Sequence, residues 1–131
     1  VGVGDEGGFA PNIVDGKDAL LMIKEAIEVS GYTGQIKIGM DTAASEFCEK
    51  SEDASVPRVY NLDIKAEDQS AARKLSGDEL ADLYRSWLGE FDIVTLEDPF
   101  EQDDFESWAK LTASVPIQIV GDDLTVTNSE R

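Results

Sequence analysis

Three short apolar runs that each reach a carboxylate, QIKIGMD (35–41), DIVTLED (92–98) and IQIVGDD (117–123), are separated by stretches of helical periodicity. This alternation limits the fold more than any other feature. Successive strands joined through helices run parallel, because the crossover returns each strand to the same edge of the sheet. The first helix is read after Pro11, with Asp15 as N-cap and Asp18 three residues on, like a capping box with a shorter acid. Ala19, Leu20, Ile23, Ala26 and Ile27 give it one apolar face, and Gly31 stops it. A second helix starts at Ser76, where Glu79 completes Ser-x-x-Glu, and Leu80, Leu83, Tyr84, Trp87 and Leu88 recur at helical spacing. Asp103 and Glu106 are read as caps of a third helix bearing Phe105, Trp108, Ala109 and Leu111. The strands are nearly all apolar, which predicts burial on both faces.

Residues 50–74 are polar and mixed and show no long element, although VYNLD (59–63) reads as a short edge strand. The closing TNSER places Thr127 and Glu130 at capping-box spacing, so a fourth helix is expected to begin there. The chain also opens on a loop with no strand before it. Both ends read as cuts, and the expected object is the middle of a larger α/β domain.

Composition removes several chemistries. With 28 acidic against 11 basic residues the net charge is −17, which repels nucleic acid and anionic membranes and favours cations or mere solubility. There is no histidine, so Ser-His-Asp catalysis and histidine-ligated zinc are out, and Cys48 has no histidine to activate it. One cysteine excludes an internal disulfide framework. No apolar run reaches membrane-spanning length and no leader opens the chain. The sequence therefore reads as soluble and cytoplasmic.

The strand ends carry the chemistry. Parallel strands joined by crossovers put their carboxyl ends on one side of the sheet, where active sites of such folds lie. Asp41, Glu97 and Asp122 would meet there as an all-oxygen site for a hard divalent cation. The competing reading is helix capping, and it is the one assigned to the neighbouring Asp98 and Asp123. The opening VGVGDEGGFAPN places Gly2, Gly4 and Gly7 at dinucleotide-turn spacing. That reading is rejected: no strand precedes, Phe9-Ala10-Pro11-Asn12 delays the helix, and Asp5 and Glu6 would repel a pyrophosphate. What remains is a glycine turn with solvated acids, or a glycine loop that carries Glu6 over a site.

GDEGGFAPN (4–12), IGMDTAASEF (38–47), LEDPFEQDD (96–104) and GDDLTVTN (121–128) together resemble the enolase (phosphopyruvate hydratase) family, in its order and across essentially the whole chain. KSEDASVPR (50–58) departs from the family as a longer surface loop. The resemblance implies a partial (β/α)8 TIM-type barrel. Residues 1–131 would form a fragment of the C-terminal catalytic barrel domain, with the N-terminal domain and later barrel strands absent. It implies Asp41, Glu97 and Asp122 as Mg2+ ligands, Glu97 and Asp122 bordering the substrate, and Glu6 as the acid that assists departure of the 3-hydroxyl. The implied parent is a cytoplasmic, homodimeric glycolytic lyase that interconverts 2-phosphoglycerate and phosphoenolpyruvate, with neither nucleic acid nor membrane as partner.

The chemistry is coherent. A proton beside a carboxylate is weakly acidic, because its removal adds charge to an anion, and a divalent cation neutralises that charge. Hydroxide leaves only with a proton donor, hence an acid such as Glu6. Enolase-superfamily sites use a Lys or His base with one or two Mg2+ ions, a property of the superfamily and not a deduction from this chain. None of the seven lysines follows a strand as a barrel base should, so the chain alone is expected to be inactive. Two rivals stand beside this reading. One is a self-contained acidic cation-binding module, which would gather its ligands in one loop, yet no D-x-[DN]-x-[DN]-G-x5-E run occurs. The other is a non-catalytic interaction protein on an enolase-like scaffold.

Overall fold

The computed structural model describes residues 2–4, 7–49 and 56–131. They divide into two compact units, residues 1–36 and 37–131.

In the first unit, β1 (Gly2–Val3) and β2 (Phe9–Ala10) pair antiparallel. The Gly4 amide donates to the Gly8 carbonyl, and Gly7 takes a left-handed φ of 83°. The glycine-rich stretch is therefore a hairpin and not a strand-to-helix phosphate turn. Helix α1 (Gly16–Val29) follows, and Asp15 caps it through the Lys17 amide. Gly31 ends it as expected. At φ 78° its amide donates to Glu28, while the Tyr32 amide reaches back to Ile27, which satisfies two terminal carbonyls together.

The second unit is built on a parallel sheet. Strands β3 (Ile38–Asp41), β7 (Ile93–Glu97) and β8 (Gln118–Val120) lie side by side in chain order. Between β3 and β7 the chain inserts an antiparallel meander of β4 (Cys48–Glu49), β5 (Val59–Asn61) and β6 (Lys74–Leu75). The VYNLD stretch is thus a strand, but a central one and not an edge: it pairs on both sides, and Tyr60 and Asn61 are buried. Cys48 is buried too, and burial together with the charges of Glu101 and Asp104 raises its thiol pKa, which keeps it protonated. Residues 50–55 of the expected longer loop lie outside the described residues.

Helix α2 (Gly77–Glu90) starts at the Ser76–Glu79 capping box, fully formed. Its Tyr84, Trp87 and Leu88 face Met40, Ile93 and Leu96, so it covers one side of the sheet. Helix α3 (Phe105–Ser114) joins β7 to β8 and buries Trp108 and Leu111. Among the described residues the sheet is covered on the α2 side and open on the other, the side that the remaining strands of the expected barrel would enclose. Register-paired residues share a face, and the side opposite α2 carries Gly39, Asp41, Thr95, Glu97, Gln118 and Val120. Polar groups alternate into these strands on that face, where Asp41 and Gln118 are exposed.

Asp104, not Asp103, caps α3, its carboxylate accepting from the Ser107 amide. Asp103 is drawn instead to the Arg131 guanidinium. No helix begins at Thr127 among the described residues. Val126 and Thr127 are left-handed, at φ 42° and 57°, whereas an N-cap needs extended backbone.

Phe100 joins the parts of this unit. It is wholly buried, and its ring meets Tyr60 of the meander, Tyr84 of α2 and Trp108 of α3 edge to face, at centroid distances of 5.9, 6.0 and 6.4 Å. Phe100→Ala is expected to cost about 3–5 kcal/mol of stability, as large cavities in aromatic cores do. Chemical denaturation checks it, and a loss below about 1 kcal/mol would show that the cluster does not hold the unit together.

Candidate metal centre

The carboxyl ends of the three parallel strands lie at one end of the sheet. Asp41 closes β3 and Glu97 closes β7, directly paired in register. Glu97 in turn pairs with Val120 of β8, and Asp122 follows two residues later. Carboxylate oxygens of Glu97, Asp98 and Asp122 all lie within 4.8 Å of one another. Of the three expected ligands, Glu97 and Asp122 are in this group, whereas Asp41 lies at the same end of the sheet, paired with Glu97 in register, but outside the group.

Asp98 is in this group geometrically, but its oxygens are already engaged. One accepts the amides of Asp122 and Asp123 at 3.0 and 3.2 Å, and the other accepts the Asp123 amide at 3.1 Å. It therefore turns to backbone amides. Asp123 is outside the group, though near enough to feel its charges. Burial raises its carboxyl pKa, with Asp98, Asp122, Asp41 and Glu46 adding to the effect. Asp41 accepts the Ala43 amide at 3.0 Å, an Asx turn that fixes the side chain locally.

The turn that presents Glu97 is held from several sides. The Tyr84 hydroxyl donates to the Pro99 carbonyl at 2.9 Å, and the Glu101 amide donates to the Tyr60 hydroxyl at 3.1 Å. The Thr42 amide donates to the Glu97 carbonyl at 3.0 Å. Glu97 is half-buried. Its carboxyl pKa is raised by burial first, then by the negative charges of Asp41, Asp98 and Asp122. Among the described residues, the ion pairs of the lysines lie elsewhere: Lys37 with Asp92, Lys74 with Glu49, Lys110 with Asp78 and Glu106. A crowded set of carboxylate oxygens suits a small hard divalent cation, and the donor set contains neither sulfur nor imidazole. Glu6, the residue expected to act as acid, lies outside the described residues.

The whole of this stretch, residues 1–131, matches the family described as "Enolase, C-terminal TIM barrel domain". The chain belongs to that enolase family. Its three parallel strands and crossover helix are a part of the α/β barrel that the family name describes. Among curated relatives, the chain is 54% identical over 131 residues to "Enolase" of Solanum lycopersicum, covering 98% of this chain and 28% of that protein. It is 53% identical to "Enolase 2" of Hevea brasiliensis, with the same coverage. The chain thus spans 28% of the length of the enolases it matches.

Reading the enolase segment by sequence missed the tyrosines and Thr42 as supports of the Glu97 turn. It also gave Asp98 the generic role of a cap. The available signal was the Glu-Asp-Pro triplet itself: proline bars its predecessor from the helical region, and aspartate tolerates the left-handed one. Asp98 takes φ 43°.

Proposed function

We propose that residues 1–131 are the metal-binding part of the catalytic barrel of an enolase that reversibly dehydrates 2-phosphoglycerate to phosphoenolpyruvate. The observations that support the reading are the register pairing of Asp41 with Glu97 at two parallel strand ends and the carboxylate oxygens of Glu97 and Asp122 within 4.8 Å of each other, in a chain that matches the enolase barrel throughout. Asp41, Glu97 and Asp122 hold Mg2+, and Glu97 and Asp122 also border the substrate. When bound, the ion neutralises the charge that builds on the substrate carboxylate as the α-proton leaves. The Asx turn at Asp41 and the Tyr84 and Thr42 contacts around Glu97 would limit how far these two side chains must move to share an ion. Glu6 protonates the departing hydroxyl. The working protein is cytoplasmic and homodimeric, and residues 1–131 form a portion of its C-terminal domain. No helix among the described residues is long and apolar enough to cross a membrane.

A self-contained cation module is less well supported, because the acids come from three separate strand ends and not from one loop. In the full-length protein that carries this chain, dehydration should require Mg2+ and stop on chelation. Asp41→Asn, Glu97→Gln and Asp122→Asn should each weaken Mg2+ binding by more than the about 10- to 100-fold typical of outer partners. Titration calorimetry with Mg2+ reads this directly. Undiminished affinity in all three variants, or turnover that survives chelation, would overturn the reading.

A further inference from the structure

Asp98 is 3% exposed and sits between all three strand ends. Its amide donates to the Val120 carbonyl of β8 at 2.9 Å. Its carbonyl accepts the Ala44 amide at 3.0 Å and the Thr42 hydroxyl at 2.7 Å, both from the segment after β3. Its carboxylate receives the amides of Asp122 and Asp123 from the segment after β8. Every polar group of the residue is thereby used, and each bond ties β7 to a neighbour that supplies an acid. The left-handed φ of 43° allows this reach, and it is a conformation that costs a non-glycine residue free energy. Strain of that kind persists only where its surroundings hold it in place.

We propose that Asp98 is a positioning residue and not a ligand: its carboxylate clamps the Asp122–Asp123 backbone and so sets the distance from Asp122 to Glu97. This rests on the metal-binding reading above. A carboxylate that accepts two amide hydrogen bonds is a strong, directional anchor, since bonds to an ionised acceptor are stronger than neutral ones. It also has no oxygen left without a donor. Asp122 is exposed and has no such bracing of its own side chain among the described contacts, so its direction depends on its backbone.

Two variants of the full-length protein test this. Asp98→Asn retains an oxygen acceptor but turns an N–H group toward the Asp123 amide. Asp98→Gly removes the carboxylate, keeps the backbone bonds and relieves the left-handed strain. Both should weaken binding of Mg2+ alone by about 10- to 100-fold. In metal-free protein, both should also speed hydrogen exchange at the amides of Asp122 and Asp123. The glycine variant should melt no lower than the asparagine variant. An Asp122→Asn control should lose Mg2+ affinity while leaving exchange at those amides unchanged. Weakened Mg2+ binding with unchanged exchange would make Asp98 a ligand and overturn the proposal, as would unchanged values of both. If the wild-type protein fails to bind Mg2+ while exchange rises in both variants, the metal reading falls and the clamp stands.

Discussion

Residues 1–131 expressed as a separate polypeptide should show no measurable dehydration of 2-phosphoglycerate. None of the seven lysines follows a strand as the base of an enolase barrel should. Among the described residues, Lys37 precedes β3 and ion-pairs with Asp92, just before β7, so both lie at the amino end of the sheet, away from Asp41 and Glu97. Lys74 and Lys110 are held in the meander and in α3. Loss of one member of a cooperating catalytic set costs on the order of 10^4 to 10^6 in rate. The assay needs polypeptide free of host enolase and a circular dichroism spectrum with helical signal, so that an unfolded sample is not scored. Turnover within about a hundredfold of the full-length protein would show that the strand ends described here suffice, and would reassign the base to this chain.

The second large effect is expected at Glu6. In the full-length protein, Glu6→Gln should lower kcat by about 10^2 to 10^4, the usual contribution of a positioned acid, with a much smaller change in KM. The amide preserves shape and hydrogen bonding but cannot deliver a proton to the departing hydroxyl. Exchange of the substrate α-proton with solvent should survive better than net dehydration, because that step belongs to a different residue. Comparing exchange by mass spectrometry with product formation separates the two. Equal losses in both would place Glu6 at the first proton transfer or in substrate binding.

Local chemistry was legible wherever it was self-sufficient. The Ser76–Glu79 box and the Gly31 stop are complete within a few residues, so they can be read before any fold is known. The carboxylates at the strand ends were legible because strand alternation and parallel order together decide which end they occupy. Asp103 and Asp104 were not separable in this way. Either could cap α3, and the choice is made at a distance, where Arg131 takes Asp103 and the Tyr60 hydroxyl takes Asp104. The partners of VYNLD were hidden for another reason. β4 and β6 are two residues each, too short to show any period. The role of Asp98 depends on one backbone angle, and periodicity in side-chain hydrophobicity carries no information about it.

Strand order equal to chain order also bears on how the sheet is born. The β7–α3–β8 stretch is one contiguous unit. β3, by contrast, is separated from β7 by the whole meander and α2. At a synthesis rate of about 5–20 residues per second, β3 precedes β7 by roughly 3 to 10 s. Throughout that interval its ladder lacks the neighbour that it has in the folded unit. The meander cannot complete its core in the meantime, because its buried Tyr60 packs on Phe100 and bonds to Asp104, both made only after β7. A codon change that speeds passage between β3 and β7 should therefore raise the soluble yield of this protein without altering a single residue.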